Sequence, residues 1–246
     1  MKKYLVVLLT LLYFPVLAQN PVSSRLSSGA DVGAAFKANY LSPSIAYYQL
    51  LNLDNNQIFS VGWHFKFSTV YANQLDYTTA PLKLTRGTGG LSGPVIAANI
   101  DTLSFNRVTM TTANFGLRAQ VRLGPVQLGG SADIIGFGFG KGRSSTYRSS
   151  TGYYKADSTT ATFADNPNQP AQPQKFNLRL LGDNDRGTLA MDVYARVLVS
   201  RRLGVKVGYQ WITTEMRASN ANVEDGNSRF RNRSAMPYVA LTFPFF

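Results

Sequence analysis

Residues 58–71, "IFSVGWHFKFSTVY", alternate with a period of two: Phe59, Val61, Trp63, Phe65 and Phe67 fall on one face, Ser60, Gly62, His64, Lys66 and Ser68 on the other. Such alternation is the mark of a β-strand with two chemically different faces, and it excludes a helix, whose apolar positions recur every three to four residues. The pattern returns along the chain. From Asp31 to Tyr40, Val32, Ala34, Phe36, Ala38 and Tyr40 oppose Gly33, Ala35, Lys37 and Asn39. In "NFGLRAQVRL", Phe115, Leu117, Ala119, Val121 and Leu123 oppose Asn114, Gly116, Arg118, Gln120 and Arg122. "TLAMDVYARVLVS" sets Leu189, Met191, Val193, Ala195, Val197 and Val199 against Asp192, Tyr194 and Arg196, and "VKVGYQWIT" sets Val205, Val207, Tyr209 and Trp211 against Lys206, Gly208 and Gln210. Each run is about ten residues long, the length a tilted strand needs to cross a bilayer.

The polar rows decide which face meets water. A solvated sheet face carries many Lys, Glu and Thr, whereas these rows mix isolated ions with Gly33, Gly62, Gly116, Gly129 and Gly208. Small residues interspersed with a few large ones are what a narrow, filled barrel interior requires. The polar face therefore points into a lumen, and Trp63 faces lipid. Link lengths agree. Gly124-Pro125 and Arg201-Arg202 make tight turns, while the links at about 72–103, 140–187 and 217–230 are long and rich in Asn, Ser, Thr, Gly and Pro. Short turns on one side and long loops on the other are the asymmetry of outer-membrane barrels.

The expected fold is all-β: an antiparallel up-and-down transmembrane β-barrel of about eight strands over residues 19–246, with both ends in the periplasm and the long loops outside the cell. Two strands, Asp31 to Tyr40 and Ile45 to Leu51, joined by Ser42-Pro43-Ser44, precede Ile58 to Tyr71. Ten strands is the second choice, with "KFNLRLLG" as a further crossing. Residues 1–18, with Lys2 and Lys3, the apolar run Tyr4 to Phe14 and the small-residue end at Ala18, have the layout of a secretory signal peptide. The absence of cysteine rules out disulfides, cysteine catalysis and a lipidated cysteine. The formal charge of +12 is scattered rather than gathered in a stripe, which argues against nucleic acid and for anionic lipid or polysaccharide as partner.

The chain ends "PYVALTFPFF", with Val239, Leu241, Phe243 and Phe245 in a last apolar row. Here it resembles the C-terminal signature of bacterial outer-membrane proteins, and the resemblance implies recognition by the barrel assembly machinery; Phe246 lies one residue out of phase. With "PVLAQN" and the long-loop pattern, the chain looks like the small outer-membrane β-barrel proteins of Bacteroidota-type bacteria. That likeness implies a fold and a compartment, and no activity.

Several residue groups carry candidate chemistry. His64, the sole histidine, sits midway along a lumen row, with Ser60 and Ser68 too distant along the strand to form a nucleophile pair, so a hydrogen-bonded lumen histidine is expected. The lumen rows also place Lys37, Lys66, Arg118, Arg122, Arg196 and Lys206 against Asp133 and Asp192. Buried charges must be paired or wetted, so these form either a cross-barrel salt-bridge plug or the lining of an anion-preferring pore. "GFGFGKG" (136–142) lacks phosphate-loop spacing, and the change of apolar phase between Ile134 and Ile135 points instead to a bulge where the strand leaves the membrane. "DNDRG" (183–187) and "EDGN" (224–227) lack the full oxygen set of a calcium loop and read as turns. No metal and no cofactor is expected. Tyr147, Tyr153 and Tyr154, with Lys155 and Arg148, could stack on sugars. Lys141, Arg143, Arg229, Arg231 and Arg233 fall near the outer rim, where guanidinium groups could hold lipopolysaccharide phosphates bidentately.

These features describe a non-enzymatic barrel whose surface-interaction or structural role lies in its external loops, with other envelope proteins as candidate partners. A small anion pore is the first alternative. A lipid-modifying enzyme is the second.

Overall fold

The computed structural model describes residues 25–245 apart from 81, 87–91, 151–152, 157–158, 163–165, 181–183 and 219–226. The expected signal peptide at 1–18, Phe246 and Glu224 to Gly226 lie outside the described residues, as do the side chains of Tyr153, Tyr154 and Lys155.

Eight strands close into a ring: β1 (Leu26–Lys37), β2 (Tyr40–Asn52), β3 (Phe59–Thr79), β4 (Thr102–Leu123), β5 (Val126–Phe139), then β11 (Leu189–Leu198), β12 (Gly204–Ala218) and β13 (Arg229–Phe245). Every pairing is antiparallel, and the ring is sealed by β1 against β13 from Ser28↔Phe245 to Ala35↔Tyr238. The transmembrane barrel is therefore up-and-down with eight strands. Between β5 and β11 the chain makes an excursion through β6 (Arg143–Arg148), β7 (Tyr153–Ala156), β8 (Thr159–Thr162), β9 (Asn166–Pro173) and β10 (Phe176–Leu178). "KFNLRLLG" adds no crossing. It supplies only the three residues of β10, laid against Ile135 to Phe137 of β5.

Alternation is realised as expected. On β3, Phe65 is 47% and Phe67 50% exposed, whereas His64 is 2% and Lys66 5% exposed. Val32, Ile45, Leu117, Phe137, Val193, Val207 and Leu241 extend the exposed apolar band around the ring. An apolar exterior over a polar interior is the arrangement a hydrocarbon solvent demands, since all backbone groups are already satisfied in the closed ladder.

Two expectations change at the elements. The first hairpin turns at Ala38-Asn39, with Asn39 at φ 59°, and not at Ser42-Pro43-Ser44. Asparagine tolerates the left-handed region that a two-residue turn needs. Pro43 instead sits inside β2, where the β2–β3 ladder skips from Leu41↔Tyr71 to Ser44↔Ser68, accommodating a residue with no N–H to give. Tyr40 consequently points inward and is buried. The bulge at Ile134 is present, between Phe115↔Ile135 and Gly116↔Asp133. It does not mark the membrane exit, because Ile135, Phe137 and Phe139 beyond it remain exposed and apolar. It marks the level where β5 parts from β11, the Ile134 carbonyl accepting from the Arg179 N–H at 2.8 Å as β10 comes in.

Above the β1–β2 turn the architecture narrows. β13 passes over that hairpin to pair with β3 (Phe230↔Thr79, Arg231↔Thr78). On the other side β4 pairs with β6, β6 with β9, and β9 with β12. The result is a six-stranded collar, β3-β4-β6-β9-β12-β13, on top of the eight-stranded ring. Within it Tyr77, Leu103, Phe105, Tyr147, Met216 and Phe230 are buried together, with Tyr77 edge-on to Phe105 and Tyr147 edge-on to Phe230. Tyr147 is thus a core residue and not a sugar platform; its hydroxyl donates to Asp101 at 2.8 Å.

Candidate functional site

The polar interior divides by height. In the half of the barrel nearer the short turns, Asp31 of β1 accepts from Arg118 of β4 at 2.8 Å and Lys206 of β12 at 3.3 Å. Lys206 also reaches Asp192 of β11 at 3.0 Å, and Ser131 donates to the same carboxylate. The Arg118 guanidinium lies 4.0 Å from the centre of the Tyr48 ring and donates to the Tyr194 hydroxyl at 2.6 Å. Arg196 has no acid in this set; it is held by Gln127, Tyr48 and Gln120 at 2.6, 2.7 and 3.1 Å. These contacts run across the lumen, from β1 to β4 and from β11 to β2, so they fill it rather than line it.

One level up, Asp133 is the hub. Its Oδ1 faces His64 Nε2 at 3.0 Å and Lys66 Nζ at 3.2 Å, while Oδ2 accepts from Asn114 at 2.9 Å and from the Ala190 N–H at 2.8 Å. The bulge explains this position. With Ile134 inserted, β5 and β11 no longer exchange backbone bonds here, and the Asp133 carboxylate takes the Ala190 donor that the ladder has released. Asn114 continues the chain of bonds through Asn177 to the Thr188 N–H, tying the hub to the excursion. His64 packs on Gly116, where a Cβ would strike the ring. At Gly129 an added Cβ would sit 2.6 Å from the Tyr194 ring. Gly116 and Gly129 thus leave the space that His64 and Tyr194 occupy.

Of the lumen residues expected from the sequence, His64 and Lys66 meet at Asp133, Arg118 and Lys206 meet at Asp31 with Asp192 beside Lys206, and Arg196 stands apart on neutral oxygens. Lys37 and Arg122 do not belong to the network. They share its facing but lie at opposite ends: exposed Lys37 donates to Ser234 beside the first turn, and exposed Arg122 reaches the Gly124 carbonyl. Facing is set by parity, height is not. Asp31, Tyr48 and Asn114 are members that the sequence pattern does not single out. Asp31 and Asn114 have lumen parity in the sequence, but their partners sit on distant strands and become visible only when the ring is closed.

The outer rim departs further from expectation. Arg229, Arg231 and Arg233 do share the outward face of β13, yet they do not form one solvent-facing row. Arg229 forks onto Glu215 at 2.8 and 2.9 Å, Arg231 approaches Glu215 at 3.5 Å, and both donate to the Asp185 carbonyl. Glu215 is fully buried against them. Arg233 is exposed, as are Lys141 and Arg143. Asp185 is occupied with these contacts and with the Leu180 N–H, while Asp183 of "DNDRG" lies outside the described residues. Among the described residues no group of three acids or histidines is placed to hold a metal ion.

No family model matches the chain. No curated protein matches it either. Among solved structures it is similar to the Yersinia pestis outer membrane protein Ail in a phospholipid bilayer nanodisc, with 10% identity, 89% of this chain and 99% of that one covered, and a TM-score of 0.37. It is also similar to neisserial surface protein A, with 10% identity, coverage of 90% and 96%, and a TM-score of 0.35. For a major outer membrane protein from Thermus thermophilus the values are 12%, 89%, 99% and 0.39. The fold of this chain rests on its own strand ladder.

Proposed function

We propose that the chain is an integral outer-membrane barrel with a non-enzymatic role, structural or interacting, carried by its collar and external loops. The observation that supports this reading over an anion pore is the filled interior: cross-lumen ion pairs in the lower half, the Asp133 hub in the middle and an apolar core in the collar. An excess of cations is present, but it is bridged to opposite walls. Catalysis by His64 finds no support in its surroundings, since the ring is buried, held by Asp133 and remote from any hydroxyl in hydrogen-bond reach among the described residues. The candidate partners are outer-leaflet lipids including lipopolysaccharide, other envelope proteins, and the barrel assembly machinery during insertion.

The chain should fractionate with outer membranes and run faster on gels when unboiled. An epitope inserted at 157–158, in the link between β7 and β8, should be labelled on intact cells. Reconstituted in planar bilayers the barrel should pass no steady current. Recovery as a soluble periplasmic protein, labelling only after lysis, or a steady anion conductance would each overturn the corresponding part of the proposal.

A further inference from the structure

Where the first hairpin stops short and the collar begins, the outer wall carries a cleft of about 640 Å³ that touches β1, β2, β3, β4 and β6. Its lower wall is one rung of the exposed band: Phe36 pairs across to Leu41 and Leu41 to Tyr71, all three outward and exposed. Its upper wall is cationic. Lys37 follows Phe36 at the end of β1 and lines the cleft from its inner side, its ammonium keeping one bond to Ser234 at 3.0 Å, while Arg107 lies opposite Asn73 just above Tyr71 and Arg143 opens β6. Among the described residues no acidic side chain lines the cleft, in contrast to Arg229 and Arg231, which converge on Glu215. The tip of the hairpin is fixed to β3 by the Asn73 N–H donating to the Asn39 carbonyl at 2.9 Å, so the two walls are held in register.

An apolar rung directly below three cations from three separate elements matches an amphiphile whose anionic group sits at the edge of its hydrocarbon. We propose that this cleft binds the phosphate of an outer-leaflet lipid, with Arg107 and Arg143 as forked donors, Lys37 as a point charge, and the acyl chains lying along Phe36, Leu41 and Tyr71. A guanidinium matches two phosphate oxygens at once, whereas a free anion would gain nothing from the apolar wall. The site rests on the outer-membrane reading above, and it assigns to Lys37 and Arg143 a common ligand while leaving the paired Arg229 and Arg231 out.

The test uses the full chain folded in neutral detergent and native mass spectrometry with three probes: phosphatidic acid, diacylglycerol of the same chains, and inorganic phosphate. Phosphatidic acid should be retained, and the combined variant Lys37→Gln, Arg107→Gln, Arg143→Gln should retain it about tenfold or more weakly, as loss of several charge-assisted bonds requires. A control triple at the opposite rim, Arg122→Gln, Arg201→Gln, Arg202→Gln, should retain it as the parent does. Equal retention by the cleft variant, or equal binding of diacylglycerol, overturns the site; inorganic phosphate bound as tightly as the lipid shows a free-anion site and overturns the lipid assignment. Each sample is checked for faster migration when unboiled. A parent chain without that shift would overturn the membrane-barrel reading itself, whereas unchanged retention in a shifted variant overturns the cleft alone.

Discussion

Asp133 and Arg196 are both buried ions in the same lumen, yet they are held in opposite ways. Asp133 pairs with Lys66, lies within hydrogen-bond distance of His64 and also accepts two further donors, while Arg196 leans on neutral oxygens of Gln127, Tyr48 and Gln120. Removing one partner from a buried ion pair leaves an uncompensated charge and costs about 3–5 kcal/mol. Asp133→Ala should therefore lower the unfolding free energy in micelles by that order, read as a shifted urea midpoint. Arg196→Gln, which removes bonds to a charge without stranding a counter-ion, should cost less, about 1.5–3 kcal/mol; equal losses would contradict the hub. At the short-turn end, Asp54 accepts from the Ile58 and Phe59 N–H groups at 2.9 and 2.7 Å, and these donors hold its carboxyl below the usual range. Because the folded value is depressed, the turn gains from the carboxylate at neutral pH and loses that gain as pH falls below the ordinary value of about 3.9 and through the lowered one. The Ile58 and Phe59 amide resonances should stay fixed at neutral pH and move only in that acid window, and Asp54→Asn should abolish the movement. Which residues enter the lumen was legible from parity at His64, Lys66 and Asp192. Which of them touch was not, because Asp31 meets Arg118 from 87 positions away, and no local pattern records that separation.

For strands, facing is the property that the sequence displays most directly and that mutation tests most cleanly. Val61→Arg or Phe65→Arg places a charge in the apolar band, at about 2–4 kcal/mol near the bilayer midplane. Either should block assembly, measured as loss of the unboiled fast-migrating form. Ser60→Thr, on the inner face, should be tolerated, and equal outcomes on both faces would mean the strand is inside out. Ring membership and the Ile134 bulge were legible because dyad alternation breaks visibly between Ile134 and Ile135. The collar was not. β6 reads "RSSTYR" and β9 "NPNQPAQP", and Pro-rich or Ser-rich segments without alternation read as loop. They become strands because β4 and β12 rise past the barrel and offer free edges to pair with. β3 and β4 are 21 and 22 residues long, where about ten residues suffice to span a bilayer, so roughly half of that hairpin stands outside it. Gln74, at φ 52°, sits at the change of level. Below it even-numbered residues such as Val70 and Ala72 face inward, and above it Tyr77 and Thr79 do.

As a whole the molecule is two rings of different strand number built on shared staves. β3, β4, β12 and β13 run through both, β1, β2, β5 and β11 stop at the junction, and β6 and β9 appear only above it. The lower ring shields lipid from a charged interior, and the upper one shields an apolar interior from water. Closure of the lower ring needs hairpin neighbours, the β5–β11 pairing across the excursion and the seam between β1 and β13. The collar pairings of Phe230 with Thr79 and Met216 with Pro173 join parts of strands that stand beyond the ring, so they can form only after the connecting segments have crossed. Maturation should then show two clocks. Migration as a compact form would arrive with insertion, while resistance of 140–188 to trypsin, which has Lys141, Arg143 and Arg148 to cut at, would arrive later, and a pulse-chase in which both appear at one rate would argue against it. During the interval the aromatic centre of the collar stands open on the far side of the membrane, a short-lived species with exposed Tyr77, Phe105 and Phe230 to which a holdase could attach.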